Sequence, residues 1–520
     1  MQLSQVLKGV EILGWAGSGS FVRNNVLSIC YDSNKCEEES LFVAIAGIKT
    51  DGHLFIENAI KNGARFVVHE RDFTPPAGIT AIRVKDSRRA LGQIGFNFFG
   101  DPSSSLCLIA VVGTNGKTTT TYLLEAILQS AGYSVGVLGT VNYRYGKTVV
   151  PAPNTTPESF EMQRILREMA DNGVTHCIAE VSSHAIDLHR VDDCAFDMGI
   201  FTNLTQDHLD YHKTMENYFH AKQRFFSEVL PAGTKNRPGA MIINGDDPWG
   251  QRIIREARGK CTTYGIDLAC DITAKTARFS LDGITAKIVS KNGEIDIVAP
   301  LMGRFNLYNI LAAVASSLEL GIPAEAIQKG LALLPQVPGR LEKVSLSGQP
   351  SVFVDYAHTD DALKRVLENL AAFRRGKIIT VFGCGGDRDR GKRPLMGEAA
   401  ARYSDLTIVT SDNPRGEDPA EIIKDIEKGI ALPKMEFAAD NFVSNRASFR
   451  NSREKSYIVM PDRREAILAA IALAEEEDIV LIAGKGHEDY QIIGGKRFPF
   501  DDRVVARKAL ASRRNDGEAV

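Results

Sequence analysis

One run constrains this chain more than any other: LIAVVGTNGKTTTTYLLEAILQSAG, residues 108–132. A continuous apolar segment, a glycine turn and an amphipathic segment follow one another. Such an apolar strand has to be buried on both faces, which places it inside a parallel sheet covered by helices. The turn aims backbone N–H groups and a helix N-terminus at one point, where they cradle a polyphosphate. Within Gly113-Thr114-Asn115-Gly116-Lys117-Thr118, Lys117 is placed to reach the β- and γ-phosphates and the Thr118 hydroxyl to hold magnesium. Val111 stands where the strict phosphate-loop pattern has a further glycine. The plainer alternative is a glycine-rich turn with an incidental lysine. The flanking strand and helix favour nucleotide binding.

The same alternation runs through most of the chain. YSVGVLGT, HCIAEVS, MGIFTNL and AMIING read as further strands of the central sheet. Upstream, SLFVAIAG, ARFVVHE and ITAIRVK, with helical FIENAIKNGA between the first two, read as a small α/β unit, and FGDPSSSL as the linker after it. Residues 272–300 alternate with period two and carry DG and NG turns, the pattern of an antiparallel insertion. LLPQVPGRLEKV, residues 333–344, forms a second boundary. Beyond it come SVFVDYAH, a helix from Asp361, KIITVFGCGG, LTIVTSDNPR, a helix near Ala420 and DIVLIAGKGHE, a third α/β unit in the doubly wound style. The expected fold class is therefore α/β with three domains. They are a small N-terminal domain at 1–105, a central ATPase-like parallel-sheet domain at 106–337 and a C-terminal Rossmann-like domain at 338–520. A length of 520 residues agrees, at roughly 150 residues per domain.

Composition narrows the function. Lys plus Arg number 62 against 65 Asp plus Glu, a net charge of -3, which argues against a nucleic-acid binder held by bulk charge. No run approaches the roughly 20 apolar residues that span a bilayer, and the N-terminus lacks a secretory pattern. A cytoplasmic monomer is the expectation. The eight cysteines include no Cys-x-x-Cys pair, so they read as buried free thiols. Glu180 ends the apolar run HCIAEV and lies at a strand's carboxyl end, where ligands gather in open parallel sheets. A carboxylate there suits magnesium beside phosphates, or simply solvent.

GTNGKTTT, EVSSHA, TNLTQDHLDYH, MGRFNLYNILAA, VDYAHT, FGCGGDRDRGKRPLM and DNPR, taken in order over essentially the whole chain, resemble the Mur ligase family. The resemblance implies an ATP-dependent amide ligase that builds the peptide of peptidoglycan precursors. The branch it resembles most adds the third residue to UDP-N-acetylmuramoyl-L-alanyl-D-glutamate. ATP would be held by Gly113 to Thr119, with Lys117, Thr118 and Thr119 among them, and by Asn306, Asn309, Arg340 and Asp355. Arg340 falls at the expected hinge, where a linker salt bridge is the alternative. The resemblance makes Lys117, Glu180, His208 and Lys222 the catalytic group. It assigns magnesium to Thr118, Glu180, His208 and a carbamylated Lys222. Carbamylation requires an uncharged amine, hence a depressed pKa. His212 and His220 compete with His208 on spacing alone. The resemblance also implies an acyl phosphate on the γ-carboxylate of the D-glutamyl residue, attacked by the incoming amine, with no covalent protein nucleophile. Ser182 and Ser183 therefore read as positioning groups.

The remaining assignments follow the same resemblance. Tyr31, Ser33, Ile48, Lys49 and Thr50 would contact the uridine nucleotide. Asn154, Thr155, Thr156, Ser182 and Arg190 would hold the muramoyl dipeptide. Members of the family can have Gln where Leu188 stands, and Pro where Asp360 stands. Arg388, Asp412, Asn413, Pro414, Arg415, Gly484 and Glu488 would form the pocket for meso-diaminopimelate. That amino acid ends in a carboxylate and an ammonium, where lysine ends in an ammonium alone. Arg415 can clamp the carboxylate with two parallel bonds, and it would repel a bare ammonium. In isolation, Asn-Pro would be only a turn. The alternatives are the same reaction with L-lysine, a folylpolyglutamate synthetase-like ligase, or a nucleotide-gated scaffold whose site has degenerated. Arg415 disfavours the first, the N-terminal domain the second, and the set Lys117, Glu180, His208 and Lys222 the third.

Overall fold

In the computed structural model the constraining run folds as the strand Cys107–Val112 and the helix Lys117–Ser130. Residues 1–17, 24–47, 50–233, 235, 239–435 and 442–517 are described. They gather in two units, Met1–Lys275 with Lys287–Ile295 and Tyr308–Leu331, and Thr276–Ala286 with Asp296–Leu307 and Ala332–Val520.

The first unit contains two sheets. In the N-terminal sheet the strands lie in the order Ile12–Gly17, Thr80–Val84, Ala64–His69, Ser40–Val43, Ser28–Cys30. All pair in parallel except the first, which is antiparallel. In the central sheet Cys261–Gly265, Ala240–Asn244, Met198–Phe201, Cys107–Val112, His176–Val181 and Val135–Leu138 lie side by side and parallel. Apart from Cys261–Gly265, these strands are short, largely apolar runs without alternation, as two buried faces demand. The helix Lys117–Ser130 turns Leu123, Leu124, Ile127 and Leu128 inward, all fully buried, and each contributes about 2 kcal/mol of apolar transfer. The insertion forms the strands Ile272–Ser280, Gly283–Ser290 and Gly293–Ala299, with turns at Asp282-Gly283 and Asn292-Gly293.

The second unit is built on Glu342–Lys343, Ser351–Asp355, Ile479–Ala483, Ile378–Phe382, Leu406–Val409 and Ser456–Val459, in that order. Only the first strand is antiparallel to its neighbour. Helices Asp360–Ala371 and Pro419–Glu427 stand at the expected places, and Thr359 and Asp418 cap their first turns. A hairpin, Tyr490–Ile493 with Lys496–Pro499, follows the last central strand.

One expectation is corrected. Cys30 and Cys36 are joined as a disulfide, with Cα atoms 5.8 Å apart. The short helical turn Ser33–Lys35 folds the chain back between them and brings the Cα atoms within bridging distance. A search for Cys-x-x-Cys spacing does not anticipate that turn. Cys107, Cys177, Cys194, Cys261, Cys270 and Cys384 are free, as expected.

Candidate active site

Three adjacent strands of the central sheet deliver their carboxyl ends to one place. Val112 pairs with Val181 on one side and with Phe201 on the other. Gly113 follows the first strand, Glu180 lies near the end of the second, and Thr202 and Asn203 follow the third. Gly113 has φ +155° and Gly116 φ +86°. A Cβ on Gly113 would lie 1.8 Å from Thr202 Oγ1, and one on Gly116 2.3 Å from Asn309 Oδ1. Both close approach and backbone conformation therefore require glycine. Asn203 pins the turn twice, its carbonyl accepting from Thr114 N–H (2.9 Å) and its Oδ1 from Asn115 N–H (2.9 Å). Thr202 Oγ1 donates to the Asn115 carbonyl at 2.7 Å. Motif reading passed over Thr202 and Asn203, although TNLT stands directly beside the DHLDYH motif.

Lys117 folds back over this loop and donates to the Gly113 and Thr114 carbonyls at 3.0 and 2.9 Å. The Thr118 hydroxyl donates to Glu180 Oε2 at 3.1 Å. Glu180 is almost fully buried and also accepts from the Thr140 N–H at 3.1 Å and the Thr140 hydroxyl at 2.8 Å. Thr140, a further residue the motifs left unassigned, thus orients the carboxylate. Thr119 is buried in the first turn of the same helix.

Lys222 is no exposed helix lysine. It is 1% exposed and donates to the Gly113 carbonyl at 2.8 Å, across the Tyr218 ring. Burial, reinforced by the charge of Lys117 and only partly opposed by Asp207, pushes its ammonium well below the usual lysine range. His208 has φ +54° and meets Asp207 at 3.4 Å. Burial chiefly, with His184, Lys117 and Lys222, brings its pKa down to about 4, against the opposing pull of Asp207. His212 Nε2 is occupied at 2.9 Å by Ser183 Oγ. His220 faces outward, paired with Glu216 at 3.2 Å.

Among the described residues, no group of three or more His, Cys, Asp and Glu side chains is arranged to hold a metal. The expected set does not need one, because it draws on a hydroxyl and a modified lysine. Thr118 and Glu180 are hard oxygen donors at the phosphate loop, which suits magnesium. The suppressed Lys222 ammonium suits carbamylation.

Beside Glu180 lies the segment assigned to the dipeptide. Thr156 Oγ1 donates to the Glu180 carbonyl at 2.9 Å and accepts from Ser182 N–H at 3.1 Å. Thr155 Oγ1 meets Thr140 Oγ1 at 3.1 Å, and Asn154 offers its carbonyl to Tyr143. Arg190 donates to the Thr156 carbonyl at 3.2 Å and pairs with Glu158 at 3.2 Å. In the N-terminal sheet, Ser33 is buried and its hydroxyl accepts from Asn58 at 2.9 Å. Tyr31 packs edge-on to Phe160, ring centres 6.4 Å apart. Thr50 is exposed and offers its carbonyl to Gly47 N–H at 3.1 Å. Ile48 and Lys49 lie outside the described residues.

Asn309 belongs to the first unit, and Asn306, Arg340 and Asp355 to the second. Asn306 Nδ2 donates to the Met302 carbonyl at 2.8 Å. Arg340 lies over the Tyr356 ring at 4.8 Å. Asp355 accepts from Leu341 N–H at 2.6 Å and Ala357 N–H at 2.8 Å. Burial raises its carboxyl pKa, and Arg340 holds the rise in check.

The second unit also carries the DNPR segment after the strand Leu406–Val409. Asp412 and Asn413 are buried. Arg415 has φ +54°, donates through Nη1 to the Gly386 carbonyl at 2.7 Å, and is tied by its N–H to the Ile492 carbonyl at 3.0 Å. Asn413 Nδ2 donates to Glu488 Oε2 at 2.8 Å. Gly484 has φ +116°, and a Cβ there would lie 3.2 Å from Asp412 Oδ2. Pro414, Arg415, Asp412, Asn413, Gly484 and Glu488 are therefore assembled together. Arg388 lies exposed on the loop after Gly386.

The Mur ligase middle domain matches residues 111–317, the Mur ligase glutamate ligase domain residues 339–486, and the Mur ligase family catalytic domain residues 25–98. The chain is 46% identical over 509 residues to the UDP-N-acetylmuramoyl-L-alanyl-D-glutamate--2,6-diaminopimelate ligase of Geobacter metallireducens, covering 98% of each. It is 48% identical over 514 residues to the ligase of that name from Geobacter sulfurreducens, covering 98% of this chain and 99% of the relative. A solved structure bearing the same enzyme name superposes with a TM-score of 0.68 at 32% identity, over 99% of each chain.

Proposed function

The chain belongs to the Mur ligase family, and from that premise we propose that it joins meso-diaminopimelate to UDP-N-acetylmuramoyl-L-alanyl-D-glutamate. The reaction consumes ATP and makes an amide bond, as a step of peptidoglycan precursor synthesis. The observation that carries the choice of amino acid is the DNPR segment, whose buried Asn413 is bonded to Glu488 and whose Arg415 is tied by its N–H to Ile492 and by its guanidinium to Gly386. The Arg415 guanidinium and the Glu488 carboxylate both act on Tyr490, and such a pair matches a terminus that bears both charges.

Residues 1–105 take the uridine nucleotide through Tyr31, Ser33 and Ile48 to Thr50. Residues 106–337 take ATP and the dipeptide, and residues 338–520 the incoming amino acid. The γ-carboxylate of the dipeptide attacks the γ-phosphorus of ATP, giving an acyl phosphate and ADP. The amine of meso-diaminopimelate then attacks the acyl carbon, and phosphate leaves. Lys117 and the loop N–H groups hold the phosphates in line and offset the repulsion between two anions. Thr118, Glu180, His208 and Lys222 as its carbamate would hold magnesium, which supplies further charge neutralisation. Arg190 and Thr156 orient the dipeptide beside the loop. Asn306, Asn309, Arg340 and Asp355 complete the ATP contacts. Both ATP and the nucleotide-linked substrate are metabolites of the cytoplasm, where the enzyme would work.

The test is phosphate release by the purified chain with ATP, the UDP-linked dipeptide, and either meso-diaminopimelate or L-lysine. Release with meso-diaminopimelate should be much faster. Faster release with L-lysine would overturn the assignment.

A further inference from the structure

Lys485 is fully buried in the second unit, and neither the phosphate chemistry nor the amino-acid contacts above use it. Burying an ammonium is costly unless every proton finds a partner. Here all three do: Nζ donates to Asn413 Oδ1 at 3.4 Å, to Glu488 Oε2 at 3.1 Å and to the Tyr490 carbonyl at 2.5 Å. Asn413 closes the triangle by donating to that same Glu488 oxygen at 2.8 Å. Asn413 Oδ1 also accepts from Ile492 N–H at 2.9 Å. The strand Tyr490–Ile493 and the DNPR segment are thereby locked to one ammonium.

Two consequences follow. Glu488 Oε2 receives both internal donors, so its other oxygen is the one left to a ligand. The ammonium also balances charge. Asp412 Oδ1 is buried without a hydrogen-bond partner, 3.9 Å from Nζ. The cations Lys485 and Arg415 cancel the carboxylates of Asp412 and Glu488. The neighbouring buried pair Arg463–Asp502, bonded at 2.8 Å, is self-compensating. Charge balance among these four groups suits a terminus that is itself a zwitterion. Without Lys485 the surroundings of Asp412 and Glu488 would be one unit more negative, a change that favours a terminus that is only an ammonium.

We propose that Lys485 is the positioning residue that sets the preference for a zwitterionic over a cationic amino-acid terminus. It orients Asn413 and Glu488 and neutralises the second carboxylate. The inference rests on the assignment of meso-diaminopimelate as substrate.

The experiment compares full-length wild type, Lys485→Met and Lys485→Gln. KM and kcat are measured for meso-diaminopimelate and for L-lysine at saturating ATP and UDP-linked dipeptide, together with KM for ATP and the melting temperature. Lys485→Met should raise KM for meso-diaminopimelate about tenfold or more. KM for ATP should stay within about twofold, and the ratio of kcat/KM for meso-diaminopimelate over L-lysine should fall about tenfold. Lys485→Gln, which keeps a donor and loses the charge, should lower the same ratio by less. Unchanged KM for meso-diaminopimelate, or equal losses for both amino acids, would overturn the proposal. So would failure of both variants to fold, because the lysine would then be a structural residue. Wild-type preference for L-lysine would be seen without any mutation, and would overturn the substrate assignment and this inference with it.

Discussion

Lys222 carries the largest difference between what its sequence position suggests and what its surroundings impose. As a letter in NYFHAKQRFF it reads as a solvated helix lysine. In the fold its amine meets the Gly113 carbonyl, and burial beside Lys117 disfavours its charged form. Lys222→Ala should lower kcat by a factor of about a hundred or more, the range for loss of a group acting at developing charge. Short carboxylic acids added to the assay should partly restore it. Unchanged turnover in the alanine variant would remove Lys222 from the chemistry. Asp193 offers a test of stability instead. Burial first, then the charge of Asp192, raises its carboxyl to about 7, while Arg89 and His189 pull the other way. Its neutral form is the one the fold favours. The stability it contributes is full below the ordinary carboxylate value and is lost as pH rises through about 7. Asp193→Asn should thus match wild type near pH 4 and exceed it at pH 8 by an amount of order 3 kcal/mol. Denaturant melts at the two pH values check this, and a constant difference would refute it.

At the scale of elements, the strand-turn-helix at 107–130 was legible because each local rule agreed: an apolar run, glycines at the turn, an amphipathic helix. The supports of that turn were not legible. Thr202 and Asn203 follow another strand and meet the loop only through the parallel register, as Thr140 meets Glu180. Gly113→Ala should test how much the turn depends on them. Its new Cβ would overlap Thr202 Oγ1, at a cost of about 2 kcal/mol or more, and KM for ATP should rise more than tenfold. Titration calorimetry with ATP would reveal unchanged affinity if the close approach were unimportant. The hairpin Tyr490–Ile493 with Lys496–Pro499 is the other concealed support. Its Ile492 holds Asn413 and Arg415 from a distance in sequence of more than 70 positions. The Cys30–Cys36 bridge escaped for a similar reason, because a turn of three residues decides it.

At the scale of the whole molecule, α/β alternation and the order of the sheets were readable from hydrophobic pattern. The second unit does not coincide with a single stretch of chain. It takes in Thr276–Ala286 and Asp296–Leu307, whose Met302 is buried in its core with Leu281 and Phe305 packed against it. A fragment of residues 338–520 should therefore be left with exposed apolar surface. It should bind a hydrophobic dye and melt below the corresponding transition of the full chain. A cooperative, dye-free fragment of equal stability would show those segments to be dispensable.

The sequence alone determined the α/β alternation and the strand-turn-helix at 107–130, since these depend on local periodicity and on residue chemistry. Tertiary structure decided which groups lose water and which partners they meet. Burial made Lys222 a suppressed amine, and packing of distant segments brought Asn413 to Lys485 and three donors to Glu180. Desolvation and long-range hydrogen bonding are properties of neighbours in space, and no local stretch of sequence contains them.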